Sequence, residues 1–195
     1  MVQPASSPGP PALLTVEEFI EYDYPAWVQK AELVRGELRL MPTPAVAHAA
    51  VAADIVFLLM SHARQHGLGH VFGDSLGYEL TQLPRTVRVP DASFIRAGRI
   101  SPDQLAGRLF RFAPDLAVEV LSPNERGARL EEKLYDYAAA ATPAVWVVDP
   151  GERTVTVIAA DAPARVLREG DTLDGGRALP GFACAVAEIF ARVPR

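Results

Sequence analysis

Cysteine is nearly absent. Cys184 stands alone among 195 residues, so no disulfide can form within the chain. A lone thiol suits a reducing compartment, and a cytoplasmic location is the expectation. No uninterrupted apolar run approaches the roughly 20 residues of a membrane span, so no membrane partner is expected. Met1 to Ala12 lack the basic start and apolar centre of a signal peptide. Their five Pro and Gly residues read as a disordered, Pro-rich lead-in over 1–12. Lysine is scarce too: Lys30 and Lys133 are the only two, against 17 arginines. A lysine is a compact donor whose pKa burial can move, so one on an apolar helix face stands out here. Gly-x-Ser-x-Gly is absent, which removes the common serine-hydrolase elbow.

What is present suits a globular protein. Hydrophobic residues make up 49% and charged residues 22%, and the length suffices for one sizeable core, so 13–195 reads as a single domain. The net charge of −5 argues against nucleic-acid binding over the whole surface. The charge is uneven, however. Residues 85–129 hold eight Arg against five Asp or Glu, a balance of +3 that leaves −8 for the remainder. A local basic face or a solvated loop gives the same count.

Thr15 and Glu18 form a capping box for a short helix through Tyr22. Alternating arms around Arg35-Gly36, within 32–41, predict a hairpin. Val51, Ile55, Leu58 and Leu59 predict a long helix over 46–66, stopped by Gly67 and Gly69. Strands are expected near 70–73, 76–81 and 86–95, then a loop-like stretch over 97–114 with one short helix. Leu116 to Leu121 reads as a central strand, Ser122-Pro123-Asn124 as a turn, and 128–141 as a helix. Ala144–Val148 and Thr154–Ile158 are strands joined by a turn at 149–153. The tail holds a Gly-rich turn at 174–176 and a short apolar helix to Arg192. The order predicts a mixed α/β fold: one mixed sheet flanked by helices, with an N-terminal helix and hairpin extension.

Asp91, Glu119 and Lys133 fall on elements that should be internal. Glu119 interrupts Leu116-Ala117-Val118-Glu119-Val120-Leu121, and a glutamate is almost never buried without a partner. Lys133 lies on or beside the stripe Leu130, Leu134, Tyr137 and Ala141, from which it can reach Glu119 or snorkel to Glu132 or Asp136. Glu131, Glu132 and Asp136 can stay outside. Asp91 after Pro90 is a turn residue or a ligand. Two carboxylates and a cation suit a Mg²⁺ site for phosphodiester cleavage. Both carboxylates would repel each other without metal, so removing one should relieve strain. His62 and His66, four apart, raise a zinc alternative with His70, but no Glu completes a His-Glu-x-x-His motif.

Pro90-Asp91 followed by Glu119-Val120-Leu121 resembles the PD-(D/E)XK nuclease superfamily. More closely, the chain resembles the Uma-type bacterial restriction endonuclease family, from about residue 14 to the end. The matching stretches are Glu32-Leu33-Val34-Arg35-Gly36-Glu37, His48, and Val89-Pro90-Asp91. They continue with Pro114 through Glu119-Val120-Leu121-Ser122-Pro123, Lys133 with Tyr137, Pro143 through Trp146 to Asp149-Pro150, Gly170 to Leu173, and Pro180-Gly181-Phe182. The Glu-Val-Leu-Ser-Pro string with its downstream Lys and Trp is specific. Leu121 stands where the superfamily has its lysine, and the resemblance implies that the following helix supplies it instead, as Lys133. Arg129 replaces an acid just before that lysine, and Ala141 and Ala144 replace a Gly and a Glu.

The resemblance implies a restriction-endonuclease-like core and a metal-dependent endonuclease acting on DNA. Asp91 and Glu119 would bind Mg²⁺, for which Mn²⁺ can substitute, with the Val120 carbonyl as a third oxygen. Lys133 would orient water. Glu32 would serve metal or water positioning, and His48 either that or as a satisfied polar residue. A homodimer is expected because cutting both strands needs two sites. The alternatives are a nucleic-acid-binding or interaction module of this fold, and a non-nuclease metal-dependent phosphodiesterase.

Overall fold

The computed structural model describes residues 13–122 and 126–193. The lead-in expected over 1–12 and the turn residues Pro123 and Asn124 lie outside the described residues. In chain order the elements are helix α1 (Val16–Ile20), strands β1 (Val28–Val34) and β2 (Glu37–Pro42), and helix α2 (Val46–Gln65). Strands β3 (Gly69–Gly73), β4 (Gly77–Gln82), β5 (Arg85–Arg88) and β6 (Ala92–Arg96) follow, then helix α3 (Pro102–Leu105), strands β7 (Leu109–Phe110) and β8 (Leu116–Val120), and helix α4 (Ala128–Ala139). The last are strands β9 (Ala144–Asp149), β10 (Thr154–Ala159), β11 (Ala162–Arg168), β12 (Thr172–Asp174) and β13 (Ala183–Ala185), and helix α5 (Val186–Ile189).

Local chemistry sets the boundaries. The Thr15 hydroxyl accepts from Glu18 N–H at 3.1 Å, and Glu18 accepts from Thr15 N–H at 2.7 Å, closing the capping box of α1. The β1–β2 hairpin turns at Arg35 and Gly36, with φ of 52° and 85°, the two-residue turn whose twist matches antiparallel strands.

The fold is mixed α/β with flanking helices, as the sequence predicts, but its strands divide over two main sheets rather than one. Their orders are β2-β1-β5-β4-β7 and β11-β10-β9-β8-β6-β3, with β12-β13 a separate ribbon. The division falls at Pro90-Asp91. The run 86–95 reads as one strand, yet β5 belongs to the five-stranded sheet and β6 to the six-stranded one. Proline cannot donate to a ladder. Asp91 N–H instead donates to the Val118 carbonyl at 2.9 Å, so Asp91 marks the crossing between sheets, beside β8.

Strand β8 runs parallel to β9 and antiparallel to β6 and is buried along its length. Alternation sorts its side chains between two faces. Leu116, Val118 and Val120 join Ile55 and Leu59 of α2 and Trp146 of β9 in the main core. Ala117 packs instead with Tyr137 of α4 and Val145 of β9. Glu119 shares the Ala117 face, which aims it at α4.

Helix α2 is long and apolar enough, by length and composition, to cross a membrane. His48, Asp54, His62 and Arg64 interrupt its apolar run. Its Val51, Ile55, Leu59 and Ala63 are buried in the main core. Strand β11 has no sequence counterpart. It lacks apolar alternation and forms the sheet edge through backbone pairing with β10. The β12–β13 ribbon is likewise new, and α5 is shorter than the helix expected before Arg192.

Candidate active site

Three strands and two helices deliver the site. The crossing at Pro90 leaves Asp91 against β8, almost wholly buried. One carboxylate oxygen, Oδ2, accepts from Val120 N–H at 2.7 Å and lies 3.4 Å from Nε2 of His48, near the start of α2. The other, Oδ1, accepts from Nζ of Lys30 on β1 at 2.7 Å. Burial alone would raise the Asp91 pKa, but Lys30 and His48 outweigh it and hold the carboxyl well below the usual range.

Glu119 lies one residue before Val120, on the opposite face. Its Oε2 accepts from Lys133 Nζ at 2.8 Å, and its Oε1 from the Tyr137 hydroxyl at 2.7 Å. Lys133 and Tyr137 stand four apart on α4, so one helix face presents both donors. Burial pushes the Glu119 carboxyl above its ordinary range, against the pull of Lys133 and Lys30. Burial likewise keeps the Tyr137 phenol protonated far into the alkaline range, with Glu119 adding to the effect.

Glu32 joins from β1. Its Oε1 accepts from Val89 N–H at 3.1 Å and sits 3.7 Å from Lys133 Nζ, while Oε2 accepts from Arg88 at 2.9 Å. Arg88 in turn donates twice to Oδ2 of Asp136, at 2.8 and 2.6 Å, and approaches Glu132 at 3.4 Å. Burial raises the Glu32 pKa, but Lys133 and Arg88 bring it below the ordinary value.

Asp91, Glu119, Lys133, Glu32 and His48 therefore meet in one buried network. Two readings of α4 are corrected. Lys133 does not snorkel to Glu132 or Asp136; its ammonium turns inward to Glu119. Asp136 does not remain outside, since Arg88 draws it in and buries it. Asp91 does repel Glu119 and helps raise its pKa, as expected, but each carboxylate also faces an ammonium that offsets the repulsion.

Sequence reasoning missed four participants: Lys30, Arg88, Tyr137 and Asp136. One signal was present. The only two lysines of the chain are the two ammonium groups of this network. Lys30 and Glu32 also alternate with Ala31 and Leu33, as one strand face carrying charge and the other carrying core.

The histidine alternative does not assemble. His62 reaches the Pro180 carbonyl at 3.0 Å, His66 the His62 carbonyl at 3.0 Å, and His70 stacks on Phe72. Among the described residues no three His, Cys, Asp or Glu side chains gather as a metal cage. Mg²⁺ needs no such cage, since it binds through one or two carboxylates and keeps several waters. The donor set fits a hard cation. Val120 turns its N–H to Asp91, and in a strand its carbonyl faces the same side. Three buried carboxylates (Asp91, Glu119 and Glu32) face two ammonium groups, while Arg88 is shared with Asp136.

A cavity of about 290 Å³ opens onto Asp91, Lys30 and His48, with Arg129 and Ser122 in its wall. Glu119 and Lys133 are not among its lining residues. A larger depression of about 560 Å³, lined by Arg96, Arg99 and Arg111, lies elsewhere. Buried ionisable groups, rather than cavity size, select the site.

Residues 16–187 match the Uma2 family, described as "Putative restriction endonuclease", and the chain belongs to that family. In three dimensions it is similar to the crystal structure of a putative nuclease belonging to DUF820 from Anabaena variabilis ATCC 29413. The TM-score is 0.76 and the identity 20%, over 91% of this chain and 98% of that one. That likeness establishes the restriction-endonuclease-like fold. No curated protein matches the sequence.

Proposed function

We propose that the chain is a divalent-metal-dependent endonuclease that hydrolyses phosphodiester bonds of duplex DNA. One observation carries this reading: two buried carboxylates from adjacent segments, Asp91 and Glu119, each meet a lysine ammonium. Asp91, Glu119 and the Val120 carbonyl would hold Mg²⁺ or Mn²⁺. The ion would supply charge neutralisation on the phosphate and a lowered pKa for attacking water.

The remaining work falls to the chain. Lys133, fixed between Glu119 and Glu32, donates to the attacking water and opposes the negative charge that develops on phosphorus oxygens. The Tyr137 hydroxyl holds Glu119 in one rotamer. Arg88 anchors Glu32, which keeps the Lys133 ammonium from swinging away. His48 stands beside Asp91 Oδ2, where it positions the carboxylate.

One observation favours the alternative of a binding module without turnover. Every carboxylate oxygen of Asp91 and Glu119 already has a protein donor. Nicking of supercoiled plasmid with Mg²⁺, Mn²⁺ or EDTA decides between them. Metal-dependent nicking lost in Lys133→Ala supports the enzyme. Binding without nicking under either metal supports the module.

A further inference from the structure

Lys30 has no part in the chemistry above, yet it occupies an oxygen the chemistry needs. Its Nζ sits 2.7 Å from Asp91 Oδ1. A cation bound to that oxygen at about 2.1 Å would be repelled by the ammonium already on it. The placement is built rather than incidental. The β1–β2 register shifts between Val28 and Lys30, and a bulge of this kind re-aims the side chain beside it. Lys30 comes from the five-stranded sheet, whereas Glu119 and the Val120 N–H that binds Asp91 come from the other. The side chain of Lys30 is about 10% exposed, and it lines both the cavity over Asp91 and a neighbouring one beside Tyr24 and Asp74. Its ammonium therefore has somewhere to go.

We propose that Lys30 is the resident counter-ion of Asp91, covering the metal-ligand oxygen until a nucleic-acid phosphate draws the ammonium away. The inference rests on the reading of Asp91 as a metal ligand. It makes metal loading and DNA binding mutually reinforcing. Without DNA, the ion must displace a buried ammonium from Asp91 and suffers its repulsion. A phosphodiester entering the cavity past Arg129 offers Lys30 another anion, and Asp91 Oδ1 becomes free. Thermodynamic linkage then requires metal to tighten DNA binding by the factor with which DNA tightens metal binding. Removing the Lys30 charge should shrink that factor, because the ion no longer competes for its oxygen.

The test is a calorimetric Mn²⁺ titration of the full chain without DNA, in wild type, Lys30→Met, Lys30→Gln, Lys30→Arg and Asp91→Asn, with thermal melting beside it. Lys30→Met and Lys30→Gln should bind Mn²⁺ roughly tenfold tighter than wild type, and Mn²⁺ should raise their melting temperature more. Lys30→Arg, which keeps the charge, should stay near wild type. Asp91→Asn should not bind. Fluorescence anisotropy of a labelled duplex, with and without Ca²⁺, should show a smaller metal effect on DNA affinity in the two neutral variants. If they bind Mn²⁺ no tighter than wild type while Asp91→Asn loses binding, the counter-ion proposal fails and the ligand reading stands. If Asp91→Asn keeps wild-type Mn²⁺ affinity, the ligand reading itself fails. Should both neutral variants be unfolded without metal, refolding by Mn²⁺ supports the exchange of one cation for another, and no refolding overturns it.

Discussion

The two ends of strand β8 each carry a buried acid, and they have opposite characters. Asp115, just before the strand, accepts from Arg96 N–H at 2.9 Å, from Arg96 Nε at 2.8 Å and from Arg99 at 2.6 Å. These donors lower its pKa against the effect of burial. Glu119, near the far end, is met by one lysine and one tyrosine, and burial leaves its pKa raised. The Asp115 partners are guanidinium forks that reach solvent and stay charged. The Glu119 partners are buried and make one bond each. A fork locks a carboxylate into a structural pair, whereas single donors leave it able to take another cation. The difference separates an acid that fastens the sheet from one that, on the proposed function, serves chemistry.

The largest expected effect tests that separation directly. Lys133→Ala and Glu119→Gln should reduce plasmid nicking on the order of 10²–10³-fold, the typical loss when one donor to developing charge is removed. Lys133→Ala should leave DNA affinity nearly unchanged, because transition-state charge is not used in ground-state binding. Asp115→Asn should keep nicking within a few-fold once equal folded fractions are shown by circular dichroism. Equal losses at both ends of β8 would break the comparison.

A second effect concerns stability at the chemical end. Asp91→Asn removes the partner of a buried lysine, which costs about 3 kcal/mol when a buried pair is broken from one side. The melting temperature in EDTA should therefore fall. The sequence alone suggests the reverse, since two bare carboxylates repel. Lys30 changes the sign. A rise in melting temperature would show that the Lys30–Asp91 pair does not stabilise the metal-free protein.

The structural end should show its own pH dependence. The Asp115 pKa is lowered in the folded chain, so its stabilisation is present above the ordinary aspartate value and is lost as pH falls through the lowered one. Asp115→Asn should cost roughly 1–3 kcal/mol at pH 7. The gap between the two melting temperatures should close in strongly acidic buffer. A gap that is constant with pH would mean the cost is shape rather than charge.

Glu119 and Lys133 were legible because a charge inside an apolar period is conspicuous in one dimension, whereas Glu32 and His48 came from the family resemblance. Glu119 among Leu116, Val118 and Val120 needs no partner to be noticed, and Lys133 beside Leu130 and Leu134 follows from helical spacing. Tyr137 was hidden by the same logic. Its ring belongs to the apolar stripe, and only the fold reveals that its hydroxyl ends on Glu119. Arg88 and Lys30 were hidden because their partners lie 48 and 61 residues away, and no local period encodes a long-range ion pair. The same limit explains the sheets. Periodicity found most strands, but assigning β5 and β6 to different sheets depends on Pro90 ending one ladder. Strand β11 is specified by an available edge on β10 rather than by its own side chains.

The basic stretch 85–129 gives the smallest and most selective test. Its excess of arginine suggests a phosphate-binding face, yet six of the eight are committed. Arg88 pairs with Glu32 and Asp136, Arg96 and Arg99 with Asp115, Arg108 with Glu21, Arg111 with Glu17 and Glu79, and Arg126 with Asp149. Among the described residues Arg129 has no ion-pair partner, and it lines the cavity over Asp91. It also stands in the first turn of α4, where a positive charge opposes the helix dipole. A DNA phosphate at the cavity mouth would offset that cost. Arg129→Ala should weaken duplex binding a few-fold and lower the slope of log affinity against log salt by about one. Arg99→Ala, which removes a guanidinium already bound to Asp115, should leave the slope unchanged while lowering stability. Anisotropy titrations at several salt concentrations measure both. If the two slopes fall together, arginines held by buried acids also face DNA, and the basic stretch acts as one surface rather than through Arg129.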